Sequence, residues 1–419
     1  MSERCQLFKN FGWQPYGTPI HFGVCSSDLA AALGTCRHVQ MSVLTALSIS
    51  RRPATAFVVV GMFWGAFAAH VPVIKAQLGV DDAMFGLLLL GSATGLVSSM
   101  WIAPLADRVL GARSMQVGIV LLALAWLVPS QISMPLAFAA TMAVVGMASG
   151  LLDVVMNARV SELEASHKRP LMNANHAMFS VAYAVSALIS GFTREAGISP
   201  LWVFVCLAVL AVLAVPKMQM AVAPVADDDG TTGRYPVWPI VLTGAIVFVA
   251  FMTEATVEAW SALHIERTLG GGAAEGALGP AMLGFMMAIG RFSGQAVSEK
   301  LPDVLMITCA AALSSLGAVT AALAHEPWLA YVGFGILGLG VSVIGPLGLA
   351  LVGRLVPAHL RTQAISRVAV LGFSGFFLAP MLMGLVSQAF GLRVAFICVA
   401  VLISLAIPMA RATLRLPKG

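Results

Sequence analysis

Three carboxylates stand inside apolar runs, where a charge is hardest to keep. Asp153 interrupts the run from Phe138 to Met156, and Glu254 and Glu258 interrupt the run 237–263. An acid at mid-bilayer depth costs several kcal/mol unless it faces a polar cavity or takes a proton, so such an acid marks a solute or proton route. Asn157 follows Asp153 by one helical turn and shares its face. Glu254 and Glu258 are also one turn apart. Two close carboxylates repel, and sharing a proton relieves the repulsion. Asp153, Glu254 and Glu258 are therefore the candidate proton-coupling groups. Their structural alternative is to hold helices together, with Arg291 as a salt-bridge partner.

Other polar side chains lie at similar depth. His176 can hydrogen-bond a hydroxylated solute, titrate, or bond a neighbouring helix. Ser180 sits one turn further on. Arg291 can neutralise an intramembrane acid or snorkel to the interface. Arg367 is nearer a helix end, which favours snorkelling, and His70 is expected at an interface. Asn157, His176, Ser180, Trp260 and Arg291 form the candidate solute-binding set. Gly146xxxGly150 and the series Gly335, Gly338, Gly340 read as close helix packing. No Walker A string exists, which argues against an ATP-driven pump.

The elements that must carry these groups are membrane helices. Of 419 residues, 59% are hydrophobic and only 10% charged. Soluble domains carry about 25% charged residues. About twelve apolar runs follow one another: 54–74, 83–103, 114–130, 136–157, 173–192, 200–215, 237–263, 278–297, 304–324, 327–350, 362–388 and 393–411. Each reaches or approaches the ~20 residues that cross a bilayer core, and none alternates with the period of a barrel strand. The expected fold class is an all-α membrane protein with twelve transmembrane helices in two six-helix bundles. The bundles are expected at 54–215 and 237–411, joined by a polar linker at 216–236 that holds Asp227, Asp228 and Asp229.

Charge orients the chain. With a cytoplasmic N-terminus, 18 Lys and Arg fall in inner segments and four, Lys75, Arg194, Arg267 and Arg393, fall in outer ones. The positive-inside rule then places both termini in the cytoplasm, and a tail follows at 412–419. The net charge of +5 reflects this rule and gives no reason to invoke nucleic acid. Residues 1–53 read as a cytoplasmic arm, either disordered or upstream of a true start at Met41. The arm has no signal-peptide pattern. It holds Cys5, Cys25 and Cys36. Cys206, Cys309 and Cys398 lie on separate helices as packing residues, and no Cys/His cluster suggests a metal.

The halves echo each other. Lys75-Ala-Gln-Leu-Gly79 follows the first run and Glu266-Arg-Thr-Leu-Gly270 the seventh. Phe179-Ser180 recurs as Phe373-Ser374. Repeated halves place a solute site near the midplane between them.

Ala103-Pro-Leu-Ala-Asp107-Arg108-Val-Leu-Gly111-Ala-Arg113 resembles the G-x-L-a-D-R-x-G-R motif between helices 2 and 3 of the major facilitator superfamily. It departs by Ala103 for the first Gly and by one extra residue before Gly111. The resemblance implies a conformational latch made by Asp107, Arg108 and Arg113, which closes the cytoplasmic side. The alternative is a solvated turn. A narrower resemblance is to the fucose-permease-like branch and its bacterial inner-membrane relatives. It rests on Gly150-Leu-Leu-Asp153-Val-Val-Met-Asn157, on His176-Ala-Met-Phe179-Ser180, and on Glu254-Ala-Thr-Val-Glu258-Ala-Trp260-Ser261. One position departs: the branch has an acid eight residues after a helix-1 Trp, and here Pro72 stands eight residues after Trp64.

The resemblance implies a secondary active transporter in the bacterial cytoplasmic (inner) membrane. It would move a small polar or sugar-like solute by proton symport. A proton-coupled efflux antiporter for metabolites or drugs is the alternative. A non-transporting membrane sensor would need an output domain, and an enzyme would need a reactive constellation; neither is visible. The expected partners are a small-molecule solute, protons and membrane lipid. The expected state is a monomer with no cofactor, no metal and no nucleic acid.

Overall fold

The computed structural model describes residues 43–220, 237–298, 301–357 and 360–416, without the side chains of 294–298 and 362. The expected arm up to residue 42, the linker from 221, the tail from 417, and Glu299 and Lys300 lie outside the described residues.

The first half comprises α1 (Arg51–Leu78), α2 (Asp82–Leu110), α3 (Ser114–Trp126), α4 (Pro135–His167), α5 (Met172–Glu195) and α6 (Pro200–Ala214). The second comprises α7 (Val237–Leu263), α8 (Ala273–Ser298), α9 (Asp303–Leu323), α10 (Pro327–Leu355), α11 (Arg361–Ser404) and α12 (Ala406–Thr413). Two apolar stretches are far too long for one crossing: Asp82–Gln131 has 50 residues and Gln363–Thr413 has 51. At 1.5 Å per residue each spans about 75 Å, more than twice the hydrocarbon core of about 30 Å. Each therefore turns back. The turns fall at Gly111 (φ 54°) and Gly391 (φ 81°), a backbone region open to glycine. Among the described residues ten apolar stretches thus make twelve crossings, as the hydropathy predicts.

Local signals set the helix ends. Asp81 caps α2 by accepting the Met84 N–H at 2.8 Å. Pro135, Pro200 and Pro327 each open a helix, where a missing N–H costs nothing. Gly79 (φ 62°) and Gly270 (φ 74°), the matched ends of the two repeated strings, both take the left-handed conformation.

The principal packing partners obey a two-fold rule. Within the halves, α2 packs on α4 as α8 packs on α10, and α1 packs on α5 as α7 packs on α11. Between the halves, α5 packs on α8 and α11 packs on α2. Adding six to each index carries one set into the other. Small residues allow the close approach: a β-carbon at Gly146 would strike the Ser92 backbone, and one at Gly86 the Pro380 carbonyl.

Candidate functional site

All three acids singled out in the sequence reach one cavity between the halves, of about 210 Å³. Asp153 comes from α4, and Glu254 and Glu258 from α7. The 3.6-residue period puts Glu254 and Glu258 on one face, and the α7–α11 packing turns that face inward. Six aromatic residues stand in the remaining wall: Trp64 and Phe67 from α1, Phe179 and Tyr183 from α5, Phe373 and Phe376 from α11. Phe179 and Phe373 are the repeat-related pair, one from each half.

Behind this wall runs a polar chain built from most of the remaining candidates. Asn157 Nδ2 donates to Asp153 Oδ1 at 3.0 Å and to the Asp153 carbonyl at 2.9 Å. His176 Nε2 lies 3.2 Å from Asn157 Oδ1, and its ring meets Phe57 edge-on at 4.8 Å. Arg291 reaches across the halves from α8. Its Nη2 donates to Glu254 Oε1 at 3.1 Å, and its Nη1 to the His176 carbonyl at 3.3 Å and to the Ser180 hydroxyl. Of the alternatives open to Arg291 in the sequence, this geometry is the intramembrane pairing. Trp260 is fully buried and packs edge-on to Phe85, with centroids 6.0 Å apart. Asn157, His176, Ser180, Trp260 and Arg291 do not themselves line the cavity.

Glu254 therefore has a cation, while Asp153 has only an amide. Glu258 makes no hydrogen bond or ion pair among the described residues, although it lies within electrostatic reach of Glu254 and Arg291.

The bundle ends differ. At the end that carries the α1–α2 turn, ion pairs join the halves. Arg194 of α5 forks onto Glu266 at 2.8 and 3.0 Å. Arg267 forks onto Asp82 at 2.5 and 3.0 Å. Lys75 meets Asp82 at 3.0 Å, the Ser387 hydroxyl donates to the same carboxylate, and Gln388 Oε1 accepts the Asp82 N–H at 3.1 Å. At the opposite end the ion pairs of the described residues stay within one half. Asp107 pairs with Arg159 of α4 at 2.6 Å, Arg159 with Glu162 at 2.7 Å, and Asp303 with Arg354 at 2.6 Å. Arg108 and Arg113 make no ion pair among the described residues, so the latch candidates do not bridge the halves in this conformation.

Sequence reasoning missed Arg159, Asp82 and Tyr183. Arg159 is buried, and its position six residues after Asp153 on the same helix was an available signal. The aromatic wall also had one: Trp64/Phe67, Phe179/Tyr183 and Phe373/Phe376 are each three or four residues apart. His70 is a correction. It is expected at an interface but is fully buried, with Nδ1 donating to the Ala66 carbonyl at 2.7 Å and its ring beside Phe204. Its place on α1 faces α6, so packing rather than headgroups surrounds it.

Known proteins resemble the chain in sequence and in fold. The chain is 28% identical to an uncharacterized MFS-type transporter of Yersinia pestis, over 90% of this chain and 98% of that one. It is 25% identical to membrane protein MosC of Rhizobium meliloti, over 80% and 83%. In fold it is similar to a bacterial homolog of the human lysosomal transporter Spinster, solved inward-facing and unoccupied. The TM-score there is 0.70 at 15% identity, covering 88% of this chain and 97% of that one. It is also similar to a point mutant of the nucleoside transporter NupG, with a TM-score of 0.67 at 12% identity, covering 88% and 100%. The sequence pattern of the Major Facilitator Superfamily matches residues 54–293 and 242–419. The protein is a member of that superfamily, a multi-pass membrane transporter rather than an enzyme.

Proposed function

We propose that the protein is a secondary active transporter that couples a small solute to protons through Asp153 and the Glu254/Glu258 pair, by alternating access. The observation that carries this is the placement of three carboxylates on one cavity between the halves, of which Glu254 alone has an ion-pair partner among the described residues. Moving an unneutralised carboxylate through a closed apolar interface is expensive. The halves therefore rearrange readily only when each free acid holds a proton or a counter-charge, and that requirement links solute movement to proton movement. The helix-4 and helix-7 strings favour symport of a polar or sugar-like solute. Asp153 and Glu258 make no ion pair among the described residues, which favours exchange, in which solute and proton alternate on the same carboxylates. Exchange fits the geometry better.

Asp153→Asn keeps the shape and removes the charge. In proteoliposomes with an imposed pH gradient, it is expected to abolish uphill accumulation of a solute identified by thermal shift. Solute–solute counterflow, which needs no net proton movement, should persist. Accumulation equal to that of the parent protein would make Asp153 a structural residue and remove it from the coupling.

Orientation belongs to the same reading. The positive-inside count places the 18-charge side, and with it the α2–α3 end, in the cytoplasm of a bacterial inner membrane. Single cysteines at Ser199 and Asp228 should label from outside and inside respectively. The reverse pattern would invert the topology.

A further inference from the structure

We propose that the solute is a small organic monocation with an aromatic or similarly apolar body, bound against Glu258 and Asp153 in place of a proton. This rests on the proton-coupled reading above and names the solute class of the same cavity.

The cavity wall decides among solute charges. Among the described residues no Lys, Arg or His lines it. The nearest cation, Arg291 on α8, is already engaged by Glu254, Ser180 and the His176 carbonyl. His176 on α5 is held by Asn157 behind the wall. α1, α2 and α11 contribute no charged side chain to the wall. An anionic solute would meet three carboxylates and no free cation. A neutral solute would neutralise neither free acid, so the protons would have to travel with it as in symport rather than exchange with it. A cation neutralises the Glu258 carboxylate and meets the wall that holds Trp64, Phe67 and Phe376, whose ring faces attract positive charge.

A second observation, independent of the acids, points to a ligand here. Tyr183 is 2% exposed and Ser149 4% exposed, and both line the cavity. Neither hydroxyl has a hydrogen-bond partner among the described residues. Buried polar groups are normally satisfied, so these two hydroxyls have hydrogen-bonding capacity unspent, which an ammonium or a polar substituent on the solute reaches once they turn toward the cavity.

Size narrows the class further. A dry cavity of about 150 Å³ in another protein holds benzene. The present cavity of about 210 Å³ admits one ring with a short ammonium arm. Charge balances in the exchange: one cation enters and one proton leaves while the second free acid keeps its proton, so the loaded cavity carries the same net charge in both forms. Either form can therefore cross the closed state.

The test uses the full-length protein in nanodiscs under weak buffering. Benzylammonium and benzyltrimethylammonium are the cationic probes, and benzyl alcohol and glucose the neutral ones. Thermal shift reports binding and a pH dye reports protons. Both cations should stabilise the protein and release about one proton per molecule bound. Their affinity should rise with pH, by at most about tenfold per unit, over the range in which the competing proton is bound, and level off above it. The neutral probes should do neither. Glu258→Gln should abolish proton release. Trp64→Leu should weaken benzyltrimethylammonium about tenfold, the reach of one cation–π contact, while leaving proton release per bound molecule unchanged. If a neutral probe moves protons and the cations do not bind, the cation class is overturned and proton coupling stands. If the cations bind at every pH without releasing protons, both the shared site and the exchange reading fall. If none of the four binds while Asp153→Asn still uncouples transport, the cation proposal alone is overturned.

Discussion

Arg291→Gln is expected to lower folding stability by about 3–5 kcal/mol, the usual cost of leaving one partner of a buried ion pair without the other. The Arg291 and Glu254 side chains are only 11% and 10% exposed, so water does little to relieve the orphaned carboxylate. The same guanidinium carries the bonds from α8 to Ser180 and the His176 carbonyl of α5. Its loss therefore loosens the two halves from each other as well as the site. Adding Glu254→Gln removes the stranded charge and should return a large part of the lost stability. A double-mutant cycle on chemical unfolding in detergent measures that recovery. Additive losses in the cycle would show that the two side chains do not act as a pair. A wild-type-like Arg291→Gln would show that the contact contributes little.

Asp82→Asn is expected to open the end of the bundle that carries the α1–α2 turn. Asp82 joins four segments: Lys75 on α1, its own helix α2, Arg267 after α7, and Ser387 on α11. The carboxylate is 4% exposed and Lys75 13%, but Arg267 is 46% exposed. Its contribution must be discounted for solvent; Lys75 lies in the same half as Asp82, so most of the opening should come from loss of the Ser387 bond, with a smaller share from Arg267. Bonds to a buried charge contribute about 1.5–3 kcal/mol each. Losing roughly 3 kcal/mol from one state shifts a two-state equilibrium by about a hundredfold. Spin labels on cysteines at Ile198 and Gly272, in a background free of native cysteines, read the separation of the halves at this end. The mean distance should lengthen in Asp82→Asn. An unchanged distribution would show that Asp82 does not hold the end closed.

The fold was legible because lipid imposes a strong rule. Every crossing needs its own apolar run, and the twelve runs could be read in order. The acids were legible for the complementary reason, since Asp153, Glu254 and Glu258 violate that rule. Their partners were much harder to read. Arg159 meets Asp107 across 52 residues, Arg291 meets Ser180 across 111, and Arg267 meets Asp82 across 185. Such pairs depend on which face each helix turns inward, and helices apolar on all sides give little sign of it. The aromatic wall stayed hidden because Phe and Trp are ordinary residues in membrane helices. The Asp107 motif pointed to a charged contact, but Arg159, which carries it here, lies outside the recognisable string.

The contact of Gly86 with Pro380 and Gly384 also has a mechanical consequence. The backbones of α2 and α11 touch there, four residues into a 29-residue helix. A pivot so placed divides α2 into a short arm of about 6 Å and a long arm of about 36 Å. Tilting α2 by roughly 10° about it would shift the short end by about 1 Å and swing the far end by about 6 Å. The first displacement is small enough for the Asp82 ion pairs to follow without breaking. The second is wide enough to admit water or a small solute. On this flank the lever ratio alone lets the opposite mouth breathe while its own end stays bolted, and a methyl group at Gly86 would jam the fulcrum.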